Sequence, residues 1–191
     1  SRIESAGIIF VGPSSNVIES AGSKDEAKEL ARKINVSVTP GEDRIAAITL
    51  LKKAGESPKD YFSKLIKNHK LNMPQNWQSK KPLHQAIAIL KASSDHKIDL
   101  FSTSELQKET IQQIKKIWKE NPGKRIRLKH VGGGGGKGQR IISSLDDINQ
   151  AVTSVLIESK QNGVGDNKNF LIELNIEDSR HNEIQLIGNG E

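Results

Sequence analysis

A run of five glycines is the part of the sequence best suited to chemistry. Lys129 precedes the run, Lys137 and Gly138 follow it, and Arg140 lies two residues further on. The run consists of Gly132, Gly133, Gly134, Gly135 and Gly136. Glycine lacks a Cβ, so its backbone can approach a ligand closely, and successive N–H groups in such a loop can form an anion-binding concavity. With the neighbouring cations, this pattern favours binding of a polyphosphate, most simply a nucleoside triphosphate.

Two short strands are predicted to position the glycines. Residues 125–131 alternate polar and apolar side chains, and residues 139–142 resume a strand-like pattern. A glycine run can also be a flexible linker, and that alternative stays open. The run is not a Walker A loop, because no Gly-Lys-Ser/Thr opens a helix here. A dinucleotide-binding turn does not fit either, since a strand and not a helix follows.

The rest of the chain reads mainly as helices. Helical patterns cover residues 24–34, 45–51, 61–66, 83–90 and 144–160. Ser102 and Glu105 form a capping-box pattern for a further helix, which ends near Asn121-Pro122-Gly123. Further strands are predicted at residues 8–11, 98–101, 169–175 and 181–187. Both ends look cut, because the strands at 8–11 and 181–187 have no evident neighbours in the sequence.

The amino-acid composition indicates what kind of core the protein has and which kinds of site it can contain. The chain has 191 residues, 34% of them hydrophobic, seven aromatic residues and no cysteine. We therefore expect an aliphatic core, a reducing compartment and neither disulfides nor thiolate metal sites. No apolar run approaches the ~20 residues of a membrane helix. The net charge of +6 lies in residues 42–123, which carry 15 basic and 9 acidic side chains, whereas the flanking parts are neutral.

Several short motifs follow one another along the chain. They are Gly12-Pro13 after an apolar segment, Gly22-Ser23-Lys24 before a helix, Pro40-Gly41, Lys129 with its glycine run, Glu173 in a strand, and Arg180-His-Asn-Glu-Ile-Gln185. In this order they resemble the biotin carboxylase family of ATP-grasp enzymes, over residues 6–41 and 104–191. The resemblance implies an α/β fold containing the ATP-grasp lid, or B, subdomain with short flanking strands and helices.

The resemblance also implies roles for individual residues. Lys24 and Lys129 would contact the nucleotide phosphates, and Gly132–Gly136 with Gly138 would close over the triphosphate beside Lys137. Glu173 would accept the adenine amino group, and backbone groups near Ile176 would pair with the ring. His181 would lie near the nucleotide, oriented by Glu183. The alternatives are solvated lysines, an exposed strand glutamate and a structural histidine.

The sequence departs from the family pattern in two ways. Residues 42–103 interrupt it, which predicts three parts: residues 1–41, a helical insertion at 42–103, and the lid with the start of the following sheet at 104–191. The insertion is expected to be separable, either as a stabilising or oligomerising decoration or as a docking surface for an acidic partner. Near the predicted site, His130 and Val131 replace small residues, and Leu174 and Asn175 replace a lysine and an aromatic residue.

By resemblance, the parent protein would be a cytoplasmic ligase that uses MgATP and bicarbonate to carboxylate biotin on a carrier protein. The metal-binding carboxylates and catalytic base of the family have no counterparts in this sequence. No catalytic or metal-binding residue is therefore assigned, and the chain alone is expected to be inactive. Two alternatives stay open: another ATP-grasp ligase, of the carbamoyl-phosphate or carboxylate–amine type, and a non-catalytic nucleotide-binding or docking module. No membrane partner is expected, nucleic acid is weakly signalled, and homo-oligomerisation is left open.

Overall fold

The computed structural model describes residues 2–15, 17, 24–130, 138–161, 169–180, 182 and 184. Its helices are α1 (Arg2–Ser5), α2 (Lys24–Lys33), α3 (Ile45–Ala54), α4 (Pro58–His69), α5 (Pro82–Asp95), α6 (Thr103–Glu120) and α7 (Asp147–Gln161), with a 3-10 turn at Trp77–Ser79. Its strands are β1 (Gly41–Glu42), β2 (Ile126–His130), β3 (Gln139–Ile142) and β4 (Phe170–Leu174). The predicted mixed α/β class is confirmed; the assignment to an ATP-grasp lid stays a prediction.

One small sheet organises the fold. Its strand order is β1-β4-β2-β3, and every neighbouring pair is antiparallel. Strands β2 and β3 pair from Ile126 with Ile142 to Lys129 with Gln139, so the predicted hairpin around the glycine run is confirmed. On its other side β2 pairs with β4, which places Arg127 opposite Glu173.

Local sequence signals set the helix ends. Proline occupies the first turn of α4 and of α5, where its missing N–H costs nothing. The Ser102 side chain accepts from the Glu105 N–H, and the Glu105 carboxylate accepts from the Ser102 N–H, so the predicted capping box is present at α6. Gly123, at a φ of +76°, lies in the turn after α6, where a side chain would be strained.

Nearly all of the buried apolar side chains that the structure describes belong to one cluster. Ile45 and Leu50 of α3 and Phe62 of α4 belong to the same cluster as Ile114 of α6 and Leu128 of β2. Helix α3 contacts α5, α6 and β4, and α7 covers β2 and β3. Residues 42–103 therefore share their core with the sheet, and this packing does not support the expected easy separation. The boundary near residue 103 stays a prediction.

Some predicted elements are wrong. Residues 8–11 form no strand, because they lack a ladder partner among the described residues, and Val11 is almost fully exposed. Residues 98–101 are also irregular, although Leu100 and Phe101 are buried. Leu30 and Ile34, two apolar residues of the predicted helical pattern at 24–34, are exposed, and the contacts of α2 with the sheet that are described below are polar. The predicted strand at 181–187 lies largely outside the described residues.

Candidate functional site

The two faces of the sheet carry different chemistry. Successive side chains of a strand point to opposite faces, and Ile126, Leu128 and His130 are the buried set on β2. The other face of the sheet carries Arg127, Lys129, Gln139, Glu173 and Asn175, with Lys28 of α2 over it. We call this the Glu173 face. It presents charged and amide side chains within hydrogen-bonding distance of one another.

Glu173 lies at the centre of this face. Its Oε2 is 2.6 Å from Lys129 Nζ and its Oε1 is 2.7 Å from Lys28 Nζ. The side chain of Glu173 is 9% exposed, that of Lys28 12% and that of Lys129 28%. Burial by itself raises the pKa of Glu173, but the hydrogen bonds from Lys129 and Lys28 outweigh it and leave the pKa below the usual value. The carboxylate is therefore held ionised between two ammonium groups.

The backbone beside Glu173 explains how α2 reaches the sheet. Lys28 Nζ also donates to the Thr39 carbonyl at 3.2 Å, and the Leu174 N–H donates to the Pro40 carbonyl at 2.9 Å. Gly41 pairs directly with Glu173. A Cβ at Gly41 would lie 1.9 Å from the Ile172 carbonyl oxygen, so only glycine allows this close approach. The Pro40-Gly41 turn thus brings α2 over Glu173.

A second polar group fixes the segment that follows β4. Arg127 donates to the Asn175 side chain at 3.0 and 2.7 Å and to the Gln139 side chain at 3.1 Å. Arg125 makes two bonds to Glu177, at 2.8 and 2.6 Å. These bonds from Arg125, with one from the Asn175 amide, lower the pKa of Glu177 to about 2. The backbone around Ile176 is therefore held at both sides by arginines.

The other end of the β2–β3 hairpin faces α7. The Gly138 N–H donates to Glu158 Oε1 at 3.0 Å, and Gly138, at a φ of +66°, accepts from the His130 N–H at 2.8 Å. Arg140 pairs with Glu158 at 3.0 Å, on the opposite side of the sheet from Glu173. The His130 ring is buried edge-on against Phe170, which accommodates the bulk that the sequence placed here.

The structure brings together part of the predicted site. Lys129 and Glu173 are in contact, and Ile176 lies two residues beyond β4. The backbone of Lys24 begins α2, but its side chain, the run Gly132–Gly136, Lys137, His181 and Glu183 lie outside the described part of the chain. Sequence reasoning missed Lys28. Lys28 could have been found from its four-residue spacing from Lys24, because residues at that spacing lie on one side of a helix.

Two further observations limit the chemistry of the described residues. None of the His, Asp and Glu side chains in them form a group of three or more able to hold a metal ion. Both Glu173 oxygens are engaged by ammonium groups, so this carboxylate is not set up as a Mg²⁺ ligand. Among the same residues, no helix has the length and apolar character required to cross a bilayer.

Comparison with known proteins places more than half of the chain in one family. Residues 89–191 match the family model described as "Carbamoyl-phosphate synthase L chain, ATP binding domain", and the match begins inside the block predicted as an insertion. Pyruvate carboxylase of Bacillus subtilis is 24% identical over 187 residues, which is 98% of this chain and 11% of that protein. Pyruvate carboxylase of Pichia angusta is 48% identical over 42 residues, 22% of this chain and 4% of that protein. No solved structure gave a significant match.

Proposed function

Because the chain belongs to the family of the carbamoyl-phosphate synthase L chain ATP-binding domain, we propose that its Glu173 face binds ATP within a biotin-dependent carboxylase. The family assignment confirms the resemblance noted in the sequence. The chain spans only a small part of the relatives that it matches, 11% of the Bacillus subtilis protein. The activity, substrates and partners of the whole protein are therefore part of the proposal.

The observation that carries the proposal is the position of Lys129. It is the last residue but one of β2, and the glycine run begins two residues after that strand ends. Its ammonium is held by Glu173, yet its side chain is more exposed than either Glu173 or Lys28. A strand-anchored ammonium close in sequence to a glycine run suits a triphosphate, because the N–H groups of such a run can form an anion-binding concavity and the ammonium adds a charged donor.

The rest of the nucleotide would extend along β4. In this proposal the Glu173 segment and the backbone near Ile176 contact the adenine, while Lys24, Lys129, Lys137 and the glycines contact the phosphates. His181, oriented by Glu183, completes the site. The ion pair of Arg125 with Glu177 and the hydrogen bonds of Arg127 to the Asn175 side chain would keep the backbone around Ile176 in place for the ring. Mg²⁺ would need ligands other than Glu173, whose two oxygens are engaged by ammonium groups.

The proposed reaction is ATP-dependent carboxylation of biotin on a carrier protein with bicarbonate as the carbon source. The Arg180-His-Asn-Glu-Ile-Gln185 motif and the pyruvate carboxylase relatives support it. The competing proposal is a carbamoyl-phosphate or carboxylate–amine ligase, which the name of the matching family favours. The two differ in the acceptor: biotin in the first, ammonia or an amine in the second.

Steady-state assays on the full-length protein separate these proposals. ATP hydrolysis should depend on bicarbonate and Mg²⁺ and should rise when free biotin is added, with carboxybiotin as the product. Ammonium should have no effect. Hydrolysis that requires ammonium and ignores biotin would establish the competing ligase, and no nucleotide binding at all would contradict both. The isolated 191-residue chain should show no bicarbonate-dependent turnover.

A further inference from the structure

Lys28 is a buried cation that none of the roles above uses. Of the two lysines on Glu173, it is the less exposed, and it has two partners: Glu173 Oε1 at 2.7 Å and the Thr39 carbonyl at 3.2 Å. Lys129 binds the other carboxylate oxygen, Glu173 Oε2, at 2.6 Å. The two ammonium groups thus occupy different oxygens of one carboxylate. Either one can leave without breaking the bond that the other makes.

We propose that Lys28 is a positioning residue that keeps Glu173 charge-paired when Lys129 turns to the phosphates. The inference rests on the proposed ATP site and adds a residue to it. A largely buried carboxylate without a cation is strongly disfavoured. If Lys129 were the only partner, each phosphate contact would leave Glu173 unpaired, and nucleotide affinity would fall accordingly. Lys28 removes that cost because its own bond to Oε1 stays in place.

Lys28 has a second effect through the helix that carries it. Lys24 begins α2 one turn before Lys28, and Arg32 one turn after Lys28 pairs with the buried Asp43 at 2.6 Å. Loss of Lys28 would therefore loosen the first half of α2, where Lys24 lies, while Arg32 keeps the second half attached. The domain should still fold, because the apolar core does not include α2.

Three variants of the full-length protein test this role. Lys28→Met keeps the length of the side chain and removes its charge, and Lys28→Arg keeps the charge. Lys33→Met is the matched control, because Lys33 is exposed and pairs with Glu29 of its own helix. Calorimetric titration with MgATP should show affinity about tenfold weaker for Lys28→Met, the size of one charge-assisted hydrogen bond. For Lys28→Arg and Lys33→Met, the affinity for MgATP should stay within about threefold of the wild-type affinity.

A double-mutant cycle shows whether Lys28 acts through Glu173. In a Glu173→Gln background there is no carboxylate to neutralise, so adding Lys28→Met should change affinity by less than about threefold. An equal loss in both backgrounds, or no loss with Lys28→Met alone, overturns the proposal. Amide exchange in α2 without nucleotide gives an independent result: protection should fall in Lys28→Met only. If the wild-type protein binds no ATP, the proposed function is refuted, and so is the proposed role of Lys28 in keeping Glu173 charge-paired.

Discussion

At the scale of single residues, Glu173 shows how burial and charge are balanced on this face. Its carboxylate is 9% exposed, and the two ammonium groups at 2.6 and 2.7 Å compensate for the loss of water. Removing one partner of a buried ion pair lowers the free energy of unfolding by more than an exposed ion pair contributes to it. The remaining charge is then buried without a partner and without water. Lys129 is the more exposed of the two partners, and in the proposed site it is the one that would exchange Glu173 for a phosphate.

Lys129 should matter more for ATP than Lys137, the lysine that follows the glycine run. Lys129→Ala removes an ammonium anchored on a strand and should raise the KM for ATP about 10- to 100-fold, the effect of losing a charge-assisted contact of about 1.5–3 kcal/mol. Lys137→Ala is the comparison and should raise it less. Steady-state kinetics of the full-length protein measure both values. Equal KM values for ATP in the two variants would count against the assignment of Lys129.

Glu177 should titrate far below an ordinary glutamate. Its pKa of about 2 is caused mainly by the bonds from Arg125, with a further bond from Asn175. Because the pKa in the folded chain is depressed, the stabilising contribution is complete above the ordinary value of 4.5 and is lost as pH falls towards 2. Carboxyl-detected NMR titration should give a pKa of about 2 for Glu177 in wild type and a clearly higher pKa in Arg125→Met, still below the ordinary value because the bond from Asn175 remains. The same pKa in both proteins would show that Arg125 is not the cause.

At the scale of elements, short-range signals determine where the helices begin. The Ser102 capping box at α6 satisfies two backbone donors that the helix itself leaves unpaired. Leu106, Ile114 and Ile117, spaced for one face of that helix, are buried against the core. Helix α6 contacts both α3 and α7, so its start fixes how the helical block, residues 42–103, packs against the sheet.

Removing this cap should have a measurable cost. Ser102→Ala should lower the free energy of unfolding by about 1 kcal/mol, the usual effect of losing an N-cap side chain. Ser63→Ala is the control, because Ser63 is an exposed serine whose hydroxyl bonds only to the Lys59 carbonyl within α4, and it should change stability by less than about 0.5 kcal/mol. Urea unfolding measures both. A cost for Ser102→Ala no larger than that of the control would contradict the capping role.

At the scale of the whole molecule, residues 42–103 and the sheet are stabilised by one core. Asn169, just before β4, donates to the Asp43 carbonyl at 2.8 Å and accepts from the Ala46 N–H at 3.0 Å. The same connection brings Ile45 and Leu50 of α3 into the cluster that contains Leu128 of β2. A block that interrupts a family pattern in the sequence is thus integrated in three dimensions.

Deleting the helical block should therefore destabilise the sheet. Replacing residues 44–101 by a Gly/Ser linker adds little loop-closure entropy, since that term grows only logarithmically with length. The loss of α3, α4 and α5 from the core should nevertheless lower the melting temperature and abolish amide protection in β2. Replacing only residues 74–76 by Gly-Ser-Gly is the control and should leave that protection intact. Full protection of β2 in the deletion variant would restore the view that the block is separable.

The sequence predicted features that depend on neighbouring residues better than features that depend on residues distant in the chain. The helix start at Ser102 and the hairpin around the glycine run follow from neighbouring residues, and they were predicted correctly. Lys28 was missed because its partner is distant in the chain, in a strand whose register sequence patterns do not give. Residues 8–11 were predicted as a strand from their apolar character, yet a strand also requires a partner to pair with.

The most direct test of the account is lysine footprinting of the full-length protein with and without MgATP. Acylation at each lysine, read by mass spectrometry, reports which ammonium groups the nucleotide covers. We predict that MgATP protects Lys129 while leaving exposed Lys33, which pairs within α2, and Lys64 of the helical block unchanged. Unchanged acylation of Lys129 under saturating MgATP, or protection confined to lysines of residues 42–103, would contradict an ATP site on the Glu173 face.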